Sequence, residues 1–126
     1  MRRNMLLSVV LASIFFGGCD ENGGGERIAQ TTTGGNARRG ASAIAHYGCG
    51  SCHQIPGISG ANGRVAPPLS GIGSRLYLAG VLQNTPENMT RWIQNPKAVD
   101  EKTLMPDLGV TPRDAADIAG YLYTLK

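Results

Sequence analysis

Two cysteines and a histidine lie within five residues of one another near the middle of the chain. Cys49, Cys52 and His53 follow the pattern Cys-x-x-Cys-His, in which two thiols can add to the vinyl groups of a haem and the adjacent imidazole can bind the iron. A thioredoxin-like redox pair would need a strand–helix–strand context, and a zinc site would need a second cysteine pair. The sequence offers neither, so the pattern predicts one covalent haem c with its iron.

An iron held by His53 needs a ligand on its other face, and three residues are candidates. His46 precedes the motif on the same predicted helix and cannot reach the opposite face of a haem. Met89 falls inside another predicted helix, where packing in the core is the better interpretation. Met105 lies in a loop and is followed by Pro106, which stiffens the backbone. We therefore predict His53 and Met105 as axial ligands, a pair that raises the reduction potential; the alternative is a loop methionine that covers apolar surface.

The elements that must position these residues are predicted to be helical from residue 36 onward. Asn36, Thr85 and Thr111 can each cap a helix, and Pro86 and Pro112 suit first helical positions. The expected helices are 36–47, 75–81, 85–94 and 111–125. Long loops are expected over 54–74 and 97–110, and no alternating strand pattern is present. The predicted domain has few large apolar residues and therefore a thin core, which a buried cofactor would complete.

The first 35 residues have a different composition. Arg2 and Arg3 precede a short apolar run, which predicts a signal peptide over residues 1–18. The segment 16–19 resembles the bacterial lipoprotein cleavage box, which predicts lipidation of Cys19; a plain signal peptide or an uncleaved anchor is the alternative. Residues 19–35 are rich in glycine and threonine, which predicts a flexible tether with a span of roughly 20–25 Å. Asp20 would favour the periplasmic side of the inner membrane.

The charge of the exported part is close to balanced. Removing residues 1–18 would leave ten basic and nine acidic side chains. Arg38 and Arg39 are interpreted as a solvated helix start, and the sequence has no clustered basic face of the kind that binds nucleic acid. Near-neutral charge also predicts weak electrostatic steering of partners.

From Gly40 to Leu125 the chain resembles class I cytochrome c, including the mitochondrial type. The shared features are the Cys-x-x-Cys-His pattern, the segments 65–71 and 91–97, a methionine nine residues after Pro96, and the segment 117–122. The resemblance implies an all-α cytochrome c fold for residues 36–126, in which three to five short helices and long loops surround one covalent haem. Gly40 and Ile44 would pack against the last helix.

The resemblance also implies roles around the haem. The Pro67 carbonyl would accept the second imidazole N–H of His53, a bond that fixes the ring. Arg75 and Thr103 would contact haem propionates, and Trp92 stands where mitochondrial members have a tyrosine near the ligand sulfur. The haem-environment residues implied in this way are Pro67, Leu69, Arg75, Trp92 and Thr103.

An iron with both axial positions filled has no open site for oxygen or substrate, so we predict an electron carrier and not an enzyme. The expected function is a membrane-tethered periplasmic carrier of a respiratory chain, between a quinol-oxidising complex or dehydrogenase and a terminal oxidase. Redox proteins are the expected partners, with no nucleic acid and no small-molecule substrate. The alternatives are a permanent cytochrome subunit of an oxidase or dehydrogenase complex, and a haem-based sensor with a vacant iron position.

Overall fold

Helices make up most of the regular structure over residues 21–126, the part of the chain that this computed structural model describes. The five α-helices are α1 (Glu21–Thr33), α2 (Ala37–His46), α3 (Pro86–Gln94), α4 (Pro96–Val99) and α5 (Pro112–Leu122). Two 3-10 turns (Cys49–Ser51 and Ile72–Ser74) and two short strands, β1 (Tyr77–Leu78) and β2 (Leu82–Gln83), complete the regular structure. None of the helices described is long and apolar enough to span a bilayer.

Capping side chains set the start of three helices, as the sequence predicts. Asn36, Thr85 and Thr111 each accept a hydrogen bond from the backbone N–H three residues later. Pro86 and Pro112 occupy the first positions of α3 and α5, where a missing N–H costs no helical hydrogen bond. The predicted starts of α2, α3 and α5 are therefore confirmed.

Helix α5 lies at the centre of the domain, with α1, α2 and α3 packed against it. At Gly40 the backbones of α2 and α5 approach so closely that an added Cβ would stand 2.1 Å from the Asp117 carbonyl oxygen. Ile44 follows one helical turn later and is buried in the core. The expected packing of Gly40 on the last helix is confirmed, and Ile44 lies in the same buried cluster as Ile118 of α5.

Helix α1 contradicts the prediction of a flexible tether for residues 21–33. Ala29 is fully buried and meets Gly120 of α5, where a Cβ would lie 2.8 Å from the Ala29 Cβ. The Thr33 hydroxyl donates to the Ala116 carbonyl at 2.8 Å, and the Glu26 carboxylate accepts from backbone N–H groups at the start of α2. Tertiary contacts thus stabilise a helix whose glycines disfavour it locally. The predicted signal peptide and Cys19 lie outside the described residues.

A short hairpin replaces the helix expected over residues 75–81. Tyr77 pairs with Gln83 and Leu78 pairs with Leu82 in antiparallel register. Ala79 and Gly80 turn the chain with positive φ angles of 50° and 74°, which a right-handed helix cannot accommodate. The loop expected from residue 97 is also shorter than predicted, because α4 continues to Val99.

An ion pair between α2 and α5 was not predicted. Asp117 is only 2% exposed and accepts from Arg39 Nε at 2.7 Å, from Arg39 Nη2 at 2.9 Å and from the Asn36 N–H at 2.7 Å. Burial acts to raise the pKa of Asp117, but these hydrogen bonds outweigh burial and lower the pKa below its ordinary value. Arg38 and Arg39 are both exposed, as the interpretation of a solvated helix start expects, but Arg39 also binds the buried Asp117, which was not predicted.

Candidate haem site

The Cys-x-x-Cys-His segment forms one tight turn directly after α2. Gly48 adopts a left-handed conformation, with φ at 72°, and ends the helix. The N–H groups of Cys52 and His53 both donate to the Cys49 carbonyl, at 3.3 and 3.0 Å. The turn therefore holds two thiols and one imidazole within a single short segment.

The two thiols lack the features of the alternative chemistries. Cys49 and Cys52 are both free and half-buried. Burial raises the pKa of Cys49, whereas redox-active cysteine pairs depend on a lowered thiol pKa. Within residues 21–126 no group of three or more histidine, cysteine or acidic side chains could hold a metal ion. The turn thus fits thioether attachment better than a redox pair or a zinc site.

The imidazole of His53 is oriented by a backbone carbonyl. His53 Nδ1 lies 2.7 Å from the Pro67 carbonyl oxygen, which has no hydrogen to give. In the neutral imidazole, Nδ1 therefore carries the proton and donates, which leaves the lone pair of Nε2 available to a metal. The contact between His53 and Pro67 that the family resemblance implied is confirmed.

The loop that contains Pro67 is fixed on both sides. The Leu69 N–H donates to the Gln54 carbonyl at 2.9 Å. The Nη2 atom of Arg75 donates to the carbonyl oxygens of Pro68 at 2.7 Å and of Ser70 at 2.9 Å. Leu69 is half-buried against the core, and Arg75 is exposed. Contact of Arg75 with a propionate stays a prediction, and the observed role of Arg75 is to bind the loop.

Sequence reasoning missed Asn84, whose side chain holds the backbone around Arg75. Its Nδ2 atom donates to the carbonyls of Arg75 at 2.7 Å and Ile72 at 2.9 Å, and its Oδ1 accepts from the Tyr123 hydroxyl at 2.7 Å. A lone asparagine between a hairpin and a helix gives no local signal of such contacts. Only the tertiary structure brings α5 next to the hairpin and shows the role of Asn84.

Met105 lies half-buried in the loop between α4 and α5, and several hydrogen bonds fix that loop. The Met105 N–H donates to Thr103 Oγ1 at 3.2 Å, and the Thr103 N–H donates to the Asp100 carbonyl at 3.1 Å. The Lys97 ammonium donates to the carbonyls of Thr103 and Glu101. The predicted propionate contact of Thr103 is not tested, since a hydroxyl that accepts from Met105 can still donate.

The residues considered as competing ligands lie in unsuitable places. Met89 is 2% exposed and packs in the core on α3, and His46 is exposed at the end of α2. Trp92 is half-buried on α3. The positions agree with Met105 as the second axial ligand, and the ligand roles of His53 and Met105 remain predictions.

Exposed apolar side chains make the loops suitable for a porphyrin. Within residues 21–126 the large apolar side chains that are exposed all fall between the cysteine motif and α5, with Leu104 at 92%, Leu76 at 79% and Val65 at 77%. A porphyrin placed against these loops would cover apolar surface of this kind. The thiols of Cys49 and Cys52 and the free Nε2 of His53 complete a set of groups that fits haem c.

The sequence profile of the family described as "Cytochrome c" matches residues 37–126. The chain belongs to the cytochrome c family. Members bind haem c covalently through its vinyl groups, so this cytochrome contains haem c with its iron and functions in electron transfer. The predicted all-α cytochrome c fold is confirmed, and helix α1 lies outside the matched residues.

Two relatives are named cytochrome c oxidase subunit 2. The cytochrome is 30% identical over 91 residues to that subunit of Alkalihalophilus pseudofirmus, covering 71% of this chain and 26% of the relative. It is 30% identical over 88 residues to the subunit of Bacillus sp. (strain PS3), covering 67% of this chain and 25% of the relative. The chain thus spans about a quarter of the length of these relatives.

Proposed function

We propose that this cytochrome carries single electrons on the periplasmic side of the inner membrane, held there by a lipid on Cys19. Cys49 and Cys52 attach the haem, and His53 and Met105 occupy the two axial positions. Bound haem supplies one-electron exchange between ferric and ferrous iron. The observation that carries the proposal is the 2.7 Å contact between His53 Nδ1 and the Pro67 carbonyl, because it leaves Nε2 free for iron at the end of the cysteine motif.

The chain's own residues would keep both iron positions occupied. The Pro67 carbonyl orients the His53 ring. The Lys97 ammonium donates to the Thr103 carbonyl and the Met105 N–H donates to the Thr103 hydroxyl, which keeps the Met105 loop in place. No position then remains for oxygen or a substrate, which supports carriage of electrons without turnover. Donors would be a quinol-oxidising complex or a dehydrogenase, and the acceptor would be a terminal oxidase.

Optical spectra of the protein made in a cell that attaches haem test the ligand set. Haem should stay with the polypeptide after denaturing extraction, and the oxidised protein should show the weak far-red band of sulfur on iron. Met105→Ala should abolish this band, whereas the control Met89→Ala should keep it. A colourless protein would contradict the proposal, and ready binding of carbon monoxide by the reduced protein at neutral pH would favour a sensor.

The membrane location needs a separate test, because it depends on Cys19. Cys19→Ser should move the haem protein from the membrane fraction to the soluble fraction while its spectrum stays unchanged. Retention of Cys19→Ser in the membrane would indicate an uncleaved anchor or a membrane-bound partner instead of a lipid.

A permanent subunit of an oxidase is the second candidate, and the names of the two relatives favour it. Gel filtration of membranes solubilised in mild detergent separates the two candidates. A carrier should elute alone at the size of the small cytochrome, and a subunit should co-elute with the other chains and cofactors of an oxidase.

A further inference from the structure

A line of hydrogen bonds runs from the core of the domain to the loop that orients His53. We infer that Arg75 and Asn84 are positioning residues that set the strength of the hydrogen bond between His53 and Pro67, and with it the reduction potential. The inference rests on the proposed role of His53 as an iron ligand. It gives Arg75 a function through the backbone that is distinct from contact with a haem propionate.

The first step is the fixing of the loop by one guanidinium nitrogen. The residues on either side, Ala66 and Leu69, donate their N–H groups to the carbonyls of Cys52 and Gln54. Pro67 and Pro68 have no N–H groups, so these two residues can be held only through their carbonyls. Arg75 Nη2 donates one hydrogen to the Pro68 carbonyl and one to the Ser70 carbonyl, at 2.7 and 2.9 Å. Pro68 follows Pro67 directly along the chain, and Ser70 lies three residues after Pro67. The position of these two carbonyls therefore limits how far the Pro67 carbonyl can rotate away from His53.

The second step is the fixing of Arg75 itself, whose side chain is exposed. Asn84 Nδ2 donates to the carbonyls of Arg75 and Ile72, and Asn84 Oδ1 accepts from Tyr123. Tyr123 is only 8% exposed, so the far end of the line is in the core. Both amide hydrogens and the amide oxygen of Asn84 are used, which makes its orientation specific.

The positioning role and a purely electrostatic role predict opposite shifts of potential. A strong hydrogen bond from Nδ1 makes the imidazole more electron-rich and favours ferric iron, so weakening the bond should raise the potential. By contrast, removing a positive charge near a haem favours ferric iron, so the loss of the Arg75 charge alone should lower the potential. Variants of Asn84 and Tyr123 change no charge, so they report the positioning role alone.

The experiment measures hydrogen exchange of the His53 Nδ1–H by nitrogen-15 NMR in the reduced holoprotein, together with the midpoint potential. Arg75→Gln should speed exchange about five- to tenfold, as expected for one weakened hydrogen bond. The matched control is Arg64→Gln, since Arg64 is exposed and has no hydrogen bond or ion pair within residues 21–126. It should leave the exchange rate unchanged.

Asn84→Ala should speed exchange of the His53 Nδ1–H and raise the midpoint potential. Tyr123→Phe is a milder variant that should shift both quantities in the same direction, and it replaces Asn84→Ala in the test if that variant does not fold. Equal exchange rates in Arg75→Gln and Arg64→Gln would overturn the inference. So would an unchanged or lowered potential in the uncharged variants. These failures differ from failure of the proposed function, which would appear in the wild-type protein as absent haem or an absent far-red band.

Discussion

Replacing Asp117 by asparagine should weaken the whole domain, because this carboxylate joins the central helix α5 to the start of α2. The carboxylate accepts two hydrogen bonds from Arg39 and one from the Asn36 N–H. Asparagine keeps the shape and one acceptor oxygen. It loses the charge and turns an N–H₂ group toward the guanidinium.

The size of the effect follows from the burial of the two partners. A hydrogen bond to a charged group contributes about 1.5–3 kcal/mol, and two such bonds come from Arg39. The Arg39 side chain is 52% exposed, so water screens the pair and rehydrates the guanidinium when the pair is broken. The bonds from the Asn36 N–H and from Arg39 Nη2 share the oxygen that remains, so the variant loses the bond from Arg39 Nε and sets an N–H₂ group against that donor. We therefore expect Asp117→Asn to lower the free energy of unfolding by about 2–3 kcal/mol.

Guanidinium unfolding of the holoprotein, followed by far-ultraviolet circular dichroism, measures this loss. Glu101→Gln is the matched control: it makes the same chemical change in an exposed carboxylate that has no ion pair and no side-chain hydrogen bond within residues 21–126, and should cost less than about 1 kcal/mol. A loss for Asp117→Asn no larger than that of the control would refute the reasoning.

The same variant predicts a change in acid stability. The folded pKa of Asp117 lies below its ordinary value, so the stabilisation is fully present above about pH 4 and is lost as the pH falls through the folded pKa. Asp117→Asn should therefore lose less stability than the wild type between about pH 4 and pH 2. Parallel stability curves for the two proteins over this range would contradict the assigned role of the pair.

Three further substitutions test other contacts. Gly40→Ala places a Cβ 2.1 Å from an α5 carbonyl, so unfolding free energy should fall by about 3 kcal/mol; wild-type stability would contradict this packing. Gly120→Ala should displace α1 and speed tryptic cleavage at Arg27 about tenfold, while the haem spectrum stays unchanged; an unchanged cleavage rate would mean that α1 tolerates the methyl group. Lys97→Leu should destabilise the Met105 loop by about 1 kcal/mol and so lower the guanidinium concentration at which the far-red band disappears; an unchanged midpoint would show that Lys97 does not hold this loop.

The helix starts were predicted correctly because their chemistry is contained in a few neighbouring residues. Asn36, Thr85 and Thr111 cap helices through a backbone group three residues away, so the sequence alone shows the contact. The contact between His53 and Pro67 spans fourteen residues and was predicted from the family resemblance, since spacing alone does not bring these residues together.

The predictions that failed depend on packing between distant segments. Three consecutive glycines argue against a helix, yet burial of Ala29 against α5 stabilises α1. The hairpin turns at Ala79 and Gly80. This pair lacks the Asn-Gly or Asp-Gly signature by which such turns are predicted from sequence. Asn84 and Asp117 are single polar residues whose partners become visible only in three dimensions.

The docking of α1 on α5 would limit how far the cytochrome can travel from the bilayer if Cys19 carries the proposed lipid. Glu21, the first described residue of α1, follows Cys19 by two positions in the sequence, and two fully extended residues cover at most about 7 Å. The domain would then stay at one height above the bilayer instead of sweeping through a large volume. Its donors and acceptors would meet it by lateral diffusion in the plane of the membrane, so the rate of electron delivery would follow their surface density.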